Sequence, residues 1–249
     1  MYLSLTGDIP LEQLTAKTTE NSSKMNEFIP NRYKFLQKIG EGVHGVVLKA
    51  VDTLENNKVV AIKKVALRTK FGGISPNTLR EIKCLQHSDS EYDIKPANLL
   101  INDQDVLKIA DFGLARLYNP EDSRKCYSPQ VATRWYRAPE ILWGTQIYGA
   151  SIDLWAVGCV FAEMLRGVPL FAGNTDIEQL ALVIRTLGTP SINEWPEVKH
   201  LPDYNKIRFP DSKKEEWEKI FPSFTTKEEI GLVDGLVKYN PKQRLTASE

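Results

Sequence analysis

The sequence DIKPANLL occupies residues 93–100, and DFG occupies residues 111–113. Two short apolar runs and a polar turn separate the two motifs, which predicts a small β-hairpin. Such a hairpin brings its ends together, so Asn98 and Asp111 should lie side by side. An amide oxygen and a carboxylate suit Mg²⁺, which binds few protein oxygens and leaves room for substrate phosphates. The spacing therefore predicts a site for Mg²⁺ and a phosphorylated substrate.

Two further side chains of this segment suit phosphoryl transfer. Asp93 can accept the proton of a substrate hydroxyl, and Lys95 can steady the transferring phosphoryl group. Each residue alone could be a polar group that only stabilises a loop. The joint spacing of these two residues with Asn98 and Asp111 favours a catalytic function.

A glycine-rich loop lies earlier in the chain, with GEGVHGVV at residues 40–47. A dinucleotide-binding turn has the same glycine spacing but continues into a helix. The residues after Gly45 are apolar and mostly β-branched, which predicts a strand. The loop is therefore predicted to be a hairpin turn that covers phosphates, and a nucleotide-dependent oxidoreductase is disfavoured. A glycine-rich hairpin without a ligand is the alternative interpretation.

The motif VAIK at residues 60–63 places a lysine at the end of an apolar strand, just after this loop. Lys63 can reach a polyphosphate, and Glu81 on the predicted next helix can hold it by an ion pair. The alternative is an exposed strand lysine and a solvated helix carboxylate. The glycine loop just before this strand favours a Lys63 that binds phosphate and pairs with Glu81.

Composition excludes several classes of protein. Lys plus Arg and Asp plus Glu both number 32, so no overall charge attracts nucleic acid or an anionic membrane. Three widely spaced cysteines indicate neither a disulfide framework nor a zinc site. The longest apolar run, residues 154–162, is shorter than the about 20 residues of a membrane span and predicts a buried core helix. We expect an intracellular protein with no nucleic acid partner and no membrane span.

The organisation of the chain predicts an α+β fold. Residues 1–30 are polar and lack periodicity, which predicts a disordered extension. Residues 33–65 predict a three-stranded antiparallel meander, and the chain after residue 151 reads as helices and loops. A small β-rich lobe at residues 31–92 should therefore precede a larger helical lobe at residues 93–249.

The order of these motifs, with APE at residues 138–140, resembles the protein kinase family. WYRAPE at residues 135–140, DLWAVG at residues 153–158 and the segment 173–190 resemble its cyclin-dependent and mitogen-activated branch. The resemblance covers residues 31–249 and implies a bilobal kinase fold with both lobes incomplete. It implies ATP and Mg²⁺ as cofactors and proline-directed phosphorylation of protein Ser and Thr hydroxyls.

The resemblance also assigns roles to single residues. Thr133 would brace Asp93 and Lys95. Ser128 stands at the activation-loop phosphosite, where Arg80 and Arg116 match two of the three expected phosphate-binding arginines, although an exposed loop serine is the alternative. The expected catalytic residues are Asp93, Lys95, Lys63 and Glu81. ATP should be bound by Ile39, Gly40, Gly42, Gly45, Val47, Ala61 and Lys63, of which Val47 and Ala61 should contact adenine. Asn98 and Asp111 should bind Mg²⁺, Ser128 is the expected phosphosite, and Thr133, Glu140 and Arg244 are expected to be structural, with Glu140 and Arg244 forming an ion pair.

The sequence departs from the family pattern ahead of Asp93. Glu91-Tyr92 stands where the family has His-Arg, and Asp93 comes only twelve positions after Glu81. Between these landmarks the family has two strands, the hinge and two helices. Twelve residues can span about 40 Å but cannot build those elements. We expect lost hydrogen bonds to adenine, an unpaired edge on the strand of Lys63, and weak or absent kinase activity.

Two functions remain as alternatives: a Ser/Thr kinase of low activity, and a non-catalytic module that competes for partners. Residues 243–249 resemble the approach to a final helix that does not follow, which is typical of a splice product, a fragment or a misassembled gene. The resemblance further implies protein substrates, a cyclin or cyclin-like activator, and a location in the cytoplasm, nucleus or cilium.

Overall fold

The computed structural model describes most of the chain in two compact units. One unit contains the described residues up to Lys64 together with the hairpin tip Ile101–Leu107, and the other contains the rest. The predicted lobe boundary at residues 92 and 93 lies outside the described residues. Those residues are 2–6, 31–42, 45–64, 94–102, 104–112 and 133–249.

The first unit is built on a four-stranded antiparallel sheet. Its strands are β1 (Tyr2–Thr6), β2 (Tyr33–Gly42), β3 (Gly45–Asp52) and β4 (Lys58–Lys64). They lie in the order β1-β4-β3-β2. The predicted meander is present, and a tight turn joins its last two strands. Asn56 and Asn57 have φ values of 48° and 56°, left-handed values that Asn tolerates in turns.

Strand β1 differs from the predicted disordered extension. It pairs antiparallel with β4, from Tyr2 opposite Lys64 to Thr6 opposite Val60. The prediction that the strand of Lys63 has no partner is therefore wrong, and disorder does not hold for residues 2–6. An open sheet edge carries unpaired N–H and C=O groups, and pairing with another strand satisfies them. The rest of the predicted extension lies outside the described residues.

One face of this sheet carries its own small core. Alternate residues of β3 and β4 point to this face, and each is at most 1% exposed. Tyr33, Phe35 and Val46 pack against them. The core residues are Leu48, Ala50, Val60 and Ile62.

The second unit contains the base of the predicted hairpin and the helical part of the chain. The hairpin consists of β5 (Leu99–Ile101) and β6 (Leu107–Ile109). Thr226 and Glu229 form a capping box at the start of the last helix, which satisfies N–H groups that a helix start leaves unpaired. The helices are α1 (Pro139–Leu142), α2 (Ser151–Arg166), α3 (Asp176–Leu187), α4 (Trp217–Ile220) and α5 (Lys227–Leu236).

Helix α2 is the core helix that the apolar run predicts. Trp155 and Cys159 are at most 1% exposed, and α2 packs against α5. Its other side is more open, because Val157 is 39% and Met164 73% exposed. No helix in the described ranges has both the length and the apolar character that a membrane crossing requires.

Candidate active site

The residues of the first unit that the sequence predicts to contact ATP include three that lie on one face of the sheet. Gly40, Val47 and Lys63 are paired side by side on three adjacent strands. Ala61 lies two positions before Lys63, so both point to the same face, opposite the core residues. Lys63 is only 9% exposed. Val47, Ala61 and Lys63 therefore share one face of the sheet, and their contacts with adenine and phosphate stay predictions.

The glycine loop closes the β2–β3 hairpin. Gly42 pairs with Gly45, and β3 begins at Gly45 itself. Gly45 has φ 132°, a conformation that L side chains rarely adopt, which explains the need for glycine here. Ile39 on β2 is half exposed. The strand after the third glycine is the feature that separates this loop from a dinucleotide-binding turn.

Asn98 and Asp111 come together at the base of the β5–β6 hairpin, as predicted. The Ala110 N–H donates a 2.7 Å hydrogen bond to the Asn98 carbonyl, and Asp111 is the next residue. Asn98 ends a 3₁₀ turn, Pro96–Asn98, and is 5% exposed. The hairpin thus brings the backbones of Asn98 and Asp111 next to each other.

Asp111 adopts an unusual backbone conformation. Its φ of 60° lies in the left-handed region, which costs a non-glycine residue roughly 1–2 kcal/mol. Such strain concentrates at functional sites, where surrounding structure holds the residue in place. In the described ranges no three His, Cys, Asp or Glu residues cluster as metal ligands. One carboxylate and one amide fit Mg²⁺, which keeps most of its positions for water and phosphate.

Lys95 is held by a residue distant in sequence. Its Nζ donates a 3.0 Å hydrogen bond to Thr133 Oγ1, 38 positions later. This contact agrees with the expected brace between Thr133 and the catalytic segment. Asp93, the second residue that Thr133 is expected to brace, lies outside the described residues.

The predicted ion pair between Glu140 and Arg244 is present. Arg244 Nη1 and Nη2 each donate a 2.7 Å hydrogen bond to a different carboxylate oxygen of Glu140. The guanidinium also donates to the Ser151 and Lys238 carbonyls at 2.8 and 2.9 Å and lies over the Trp155 ring. Two parallel bonds fix both position and orientation, which a lysine could not do.

Sequence reasoning missed the contacts that fix the segment between Thr133 and α1. Asp176, at the start of α3, accepts hydrogen bonds from Arg134 and Arg137 at 2.8 and 3.0 Å. Gln179, fully buried on α3, donates to the Trp135 carbonyl at 3.2 Å. No local signal marks these residues, because their partners are about 40 positions away.

Tyr136 is tied to the core helix. Its hydroxyl donates a 2.8 Å hydrogen bond to Glu163 on α2. Burial, together with this hydrogen bond, raises the pKa of Tyr136 above its ordinary value. The phenol therefore stays neutral and anchors the segment after Thr133.

Several predicted site residues lie outside the described residues. The catalytic Asp93, the helix residue Glu81 and the phosphosite Ser128 are among them, as are Arg80 and Arg116. Lys63 and the other residues predicted to bind ATP lie in the first unit, and Asn98 and Asp111 lie in the second. The geometry of each of these two sets of residues is therefore given within its own unit.

Comparisons with known proteins agree with the geometry. A family model described as protein kinase domain matches residues 91–249. Proteins named cyclin-dependent kinase 20 from Rattus norvegicus and Danio rerio are each 40% identical over 283 aligned positions, covering 88% of this chain and 81% of the relative. Cyclin-dependent kinase D-1 of Oryza sativa subsp. japonica is 33% identical, covering 89% of this chain and 66% of the relative. The sequence segments 130–137 and 201–207 also resemble cyclin-dependent kinase 20.

The same alignments contain a large gap in this chain. The matched 88% of 249 residues is about 219 residues, whereas the alignment with the Rattus norvegicus protein has 283 positions. About 64 positions, the difference between 283 and 219, therefore have a residue of the relative and none of this chain. A gap of this size is large enough to contain the elements that the sequence analysis expects to be missing between Glu81 and Asp93.

Proposed function

Because this chain belongs to the protein kinase family, in its cyclin-dependent branch, we propose that it transfers the γ-phosphate of ATP to Ser and Thr hydroxyls of proteins. The preferred hydroxyl precedes a proline, and transfer is much slower than in an intact relative. Protein substrates and a cyclin partner follow from the family. The observation that carries the proposal is the hydrogen bond from the Ala110 N–H to the Asn98 carbonyl. It brings the backbones of Asn98 and Asp111 together, which supports a shared Mg²⁺ site of the kind that the family has.

The roles of the residues follow from their chemistry. Bound Mg-ATP supplies the γ-phosphoryl group and the cation that neutralises its charge. Asn98 and Asp111 would hold the cation. Lys63 would pair with phosphate oxygens from the sheet face that it shares with Val47. Asp93 would accept the proton of the attacking hydroxyl as the hydroxyl oxygen bonds to the γ-phosphorus and the bond from that phosphorus to the ADP oxygen breaks. Lys95, oriented by Thr133, donates to the phosphoryl oxygens.

Slow transfer follows from missing scaffold rather than from missing chemistry. We place the gap of about 64 positions between Glu81 and Asp93, where only twelve positions remain. The family's hinge, which hydrogen-bonds the adenine edge, lies in this interval. Strand β1 pairs with the β4 edge, but nothing in its sequence replaces a hinge. Displacement of reacting groups by about 1 Å can slow a reaction 100-fold, so a reduction of at least about that size is expected.

A phosphotransfer assay tests the proposal. The full chain, with and without a cyclin, is incubated with Mg²⁺, γ-labelled ATP and peptides containing Ser-Pro or Thr-Pro, beside cyclin-dependent kinase 20. We expect transfer at least about 100-fold slower than the relative's, and its loss in Asp93→Asn and Asp111→Asn. A rate within threefold of the relative's would overturn the proposed loss of activity.

The hairpin offers a matched control. Asp105 has φ 58°, nearly the value of Asp111, and is exposed at the hairpin tip. Asn tolerates this conformation, so Asp105→Asn makes the same chemical change in the same backbone state. Asp105→Asn should leave transfer unchanged. Transfer that persists in Asp111→Asn would instead indicate a contaminating kinase.

A second candidate function is a non-catalytic interaction module. It is favoured by the described helical part, residues 133–249, where the Glu140–Arg244 pair and the Asp176 contacts hold the segment ahead of α1. Such a module would bind protein partners without responding to nucleotide. Calorimetric titration with Mg-ATP and with a Ser-Pro peptide separates the two functions. Peptide binding without any heat from Mg-ATP would support the module and contradict the enzyme.

A further inference from the structure

Strand β1 pairs with one part of β4 and stops short of the rest. Its five residues lie opposite residues 60–64, and the register ends before Lys58 and Val59, with which β4 begins. The paired part contains the whole VAIK motif and ends one position after Lys63. The N-terminal strand therefore covers the edge of the motif that carries the predicted phosphate-binding lysine.

The backbone of Lys63 lies between two strands. It is opposite Leu3 of β1 on one side and opposite Val47 of β3 on the other. A strand with a neighbour on each side can bond its N–H and C=O groups to both, whereas an edge strand leaves one row of these groups unpaired. Without β1, β4 would be the edge of the sheet, and its last residues would open more readily. Pairing with β1 therefore restricts the backbone from which the lysine side chain extends.

The two faces of β4 hold their side chains differently. Val60 and Ile62 are 1% and 0% exposed in the small core of the sheet. Lys63 is on the opposite face. A lysine ammonium sits at the end of a flexible four-carbon stem, so its reach depends on where its own backbone is held. Core packing fixes β4 from one face, and pairing with β3 and β1 fixes it along both edges.

We propose that β1 is a positioning strand for Lys63 and that the affinity for Mg-ATP depends on its pairing with residues 60–64. The inference rests on the proposed function, because it takes Lys63 as the residue that binds a phosphate oxygen. Strand β1 would act through the backbone of β4 and hold the lysine within hydrogen-bonding reach of that oxygen. Loss of a hydrogen bond from a charged donor weakens binding roughly 10- to 100-fold.

Calorimetric titration of the full chain with Mg-ATP tests the proposal. One variant carries Leu3→Pro and Ser4→Pro. Successive N–H groups of a strand face opposite neighbours, so one of the two prolines removes an N–H that faces β4. We expect this variant to bind Mg-ATP at least about tenfold more weakly than the unaltered chain. The matched variant with Leu3→Ala and Ser4→Ala keeps both N–H groups and should weaken binding at most about twofold.

A double-mutant cycle with Lys63→Ala separates positioning from a general loss of structure. If β1 acts through Lys63, the two prolines should weaken binding by less than about twofold once Lys63 is Ala. Losses that simply add would show an effect that does not pass through Lys63, and they would overturn the proposal.

Hydrogen exchange shows whether the sheet stays folded in the proline variant. Amides of β3 should remain as slow as in the unaltered chain, because β3 keeps its pairing with β2. Equal acceleration in β3 and β4 would mean that β1 holds the whole sheet together, which would contradict a role confined to Lys63.

The unaltered chain separates this inference from the proposed function. If it binds Mg-ATP and the proline variant binds equally well, the inference fails and the proposed function stands. If the unaltered chain does not bind Mg-ATP, the proposed function fails, and the positioning role of β1 fails with it.

Discussion

Arg244 and Glu140 form a bidentate pair with two 2.7 Å hydrogen bonds, although 104 positions separate them in sequence. Their side chains are 0% and 5% exposed. The pair joins α1 to the chain that follows α5, and the Ser151 carbonyl adds a contact to the start of α2. A single buried guanidinium therefore holds three parts of the helical unit in one arrangement.

Breaking this pair should strongly destabilise the helical unit. Glu140→Gln leaves the Arg244 charge buried without its counter-charge, which typically costs 3–5 kcal/mol, so we expect a loss of about that size. Urea unfolding followed by tryptophan fluorescence measures it. This signal reports the helical unit alone, because all five tryptophans of the chain lie in that unit. They are Trp135, Trp143, Trp155, Trp195 and Trp217.

An exposed ion pair provides the control for this measurement. Lys242 Nζ lies 2.6 Å from Glu197 Oε1, but the two side chains are 78% and 50% exposed. Water and salt screen such a pair, so Lys242→Ala should cost less than about 1 kcal/mol. Equal losses in Glu140→Gln and Lys242→Ala would contradict the structural role of the buried pair.

Asp234 should make the stability of the helical unit sensitive to acid. Burial alone would raise the pKa of Asp234, but hydrogen bonds from Lys214 and Trp217 outweigh it and hold the pKa below its ordinary value of 3.8. A lowered pKa in the folded state stabilises the protein above pH 3.8, and this contribution is lost as pH falls through the lower folded value. Asp234→Asn should therefore lower stability at pH 7.

The difference between Asp234→Asn and the unaltered chain should shrink below pH 3.8. This stability difference is measured from the urea midpoints of unfolding of both proteins. The midpoints are recorded from pH 7 down to the lowest pH at which the chain stays folded. Glu218→Gln, at an exposed position on α4, provides the control and should leave the stability at pH 7 unchanged. A constant difference between Asp234→Asn and the unaltered chain at all pH values would contradict the proposed linkage.

Strand β1 should protect the edge of β4. Replacing both Leu3 and Ser4 by Pro removes two backbone N–H groups and disrupts pairing, whereas replacing both by Ala keeps the N–H groups. Hydrogen exchange at the amides of β4 should accelerate at least about tenfold in the proline variant and little in the alanine variant. Equal exchange in the two variants would contradict the pairing of Tyr2–Thr6 with β4.

Local patterns explain what the sequence predicted well. The meander and the 99–109 hairpin follow from alternating apolar runs and from turn residues such as Asn56-Asn57, which act over a few positions. The juxtaposition of Asn98 and Asp111 follows from the hairpin alone. The Glu140–Arg244 pair became predictable through resemblance to a family, since no local pattern joins residues so far apart.

Long-range relationships explain what the sequence did not predict. Residues 2–6 carry no strong strand signal, and their pairing depends on an open edge at β4, more than fifty positions later. The contacts of Asp176 with Arg134 and Arg137 likewise depend on how α3 packs. The left-handed φ of Asp111 is a conformation that aspartate adopts more readily than most residues, but no local pattern marks it, because the surrounding structure holds the residue there.

The central claim is that the chain retains the chemistry of a kinase and lacks the scaffold that aligns it. Its most direct test inserts the unmatched segment of cyclin-dependent kinase 20 between Gln86 and Asp93 and measures phosphotransfer with and without the insertion. We predict that the insertion raises the rate at least about 100-fold and that Asp93→Asn abolishes the gain. A folded chimera that binds Mg-ATP but transfers phosphate no faster than the unaltered chain would contradict the claim.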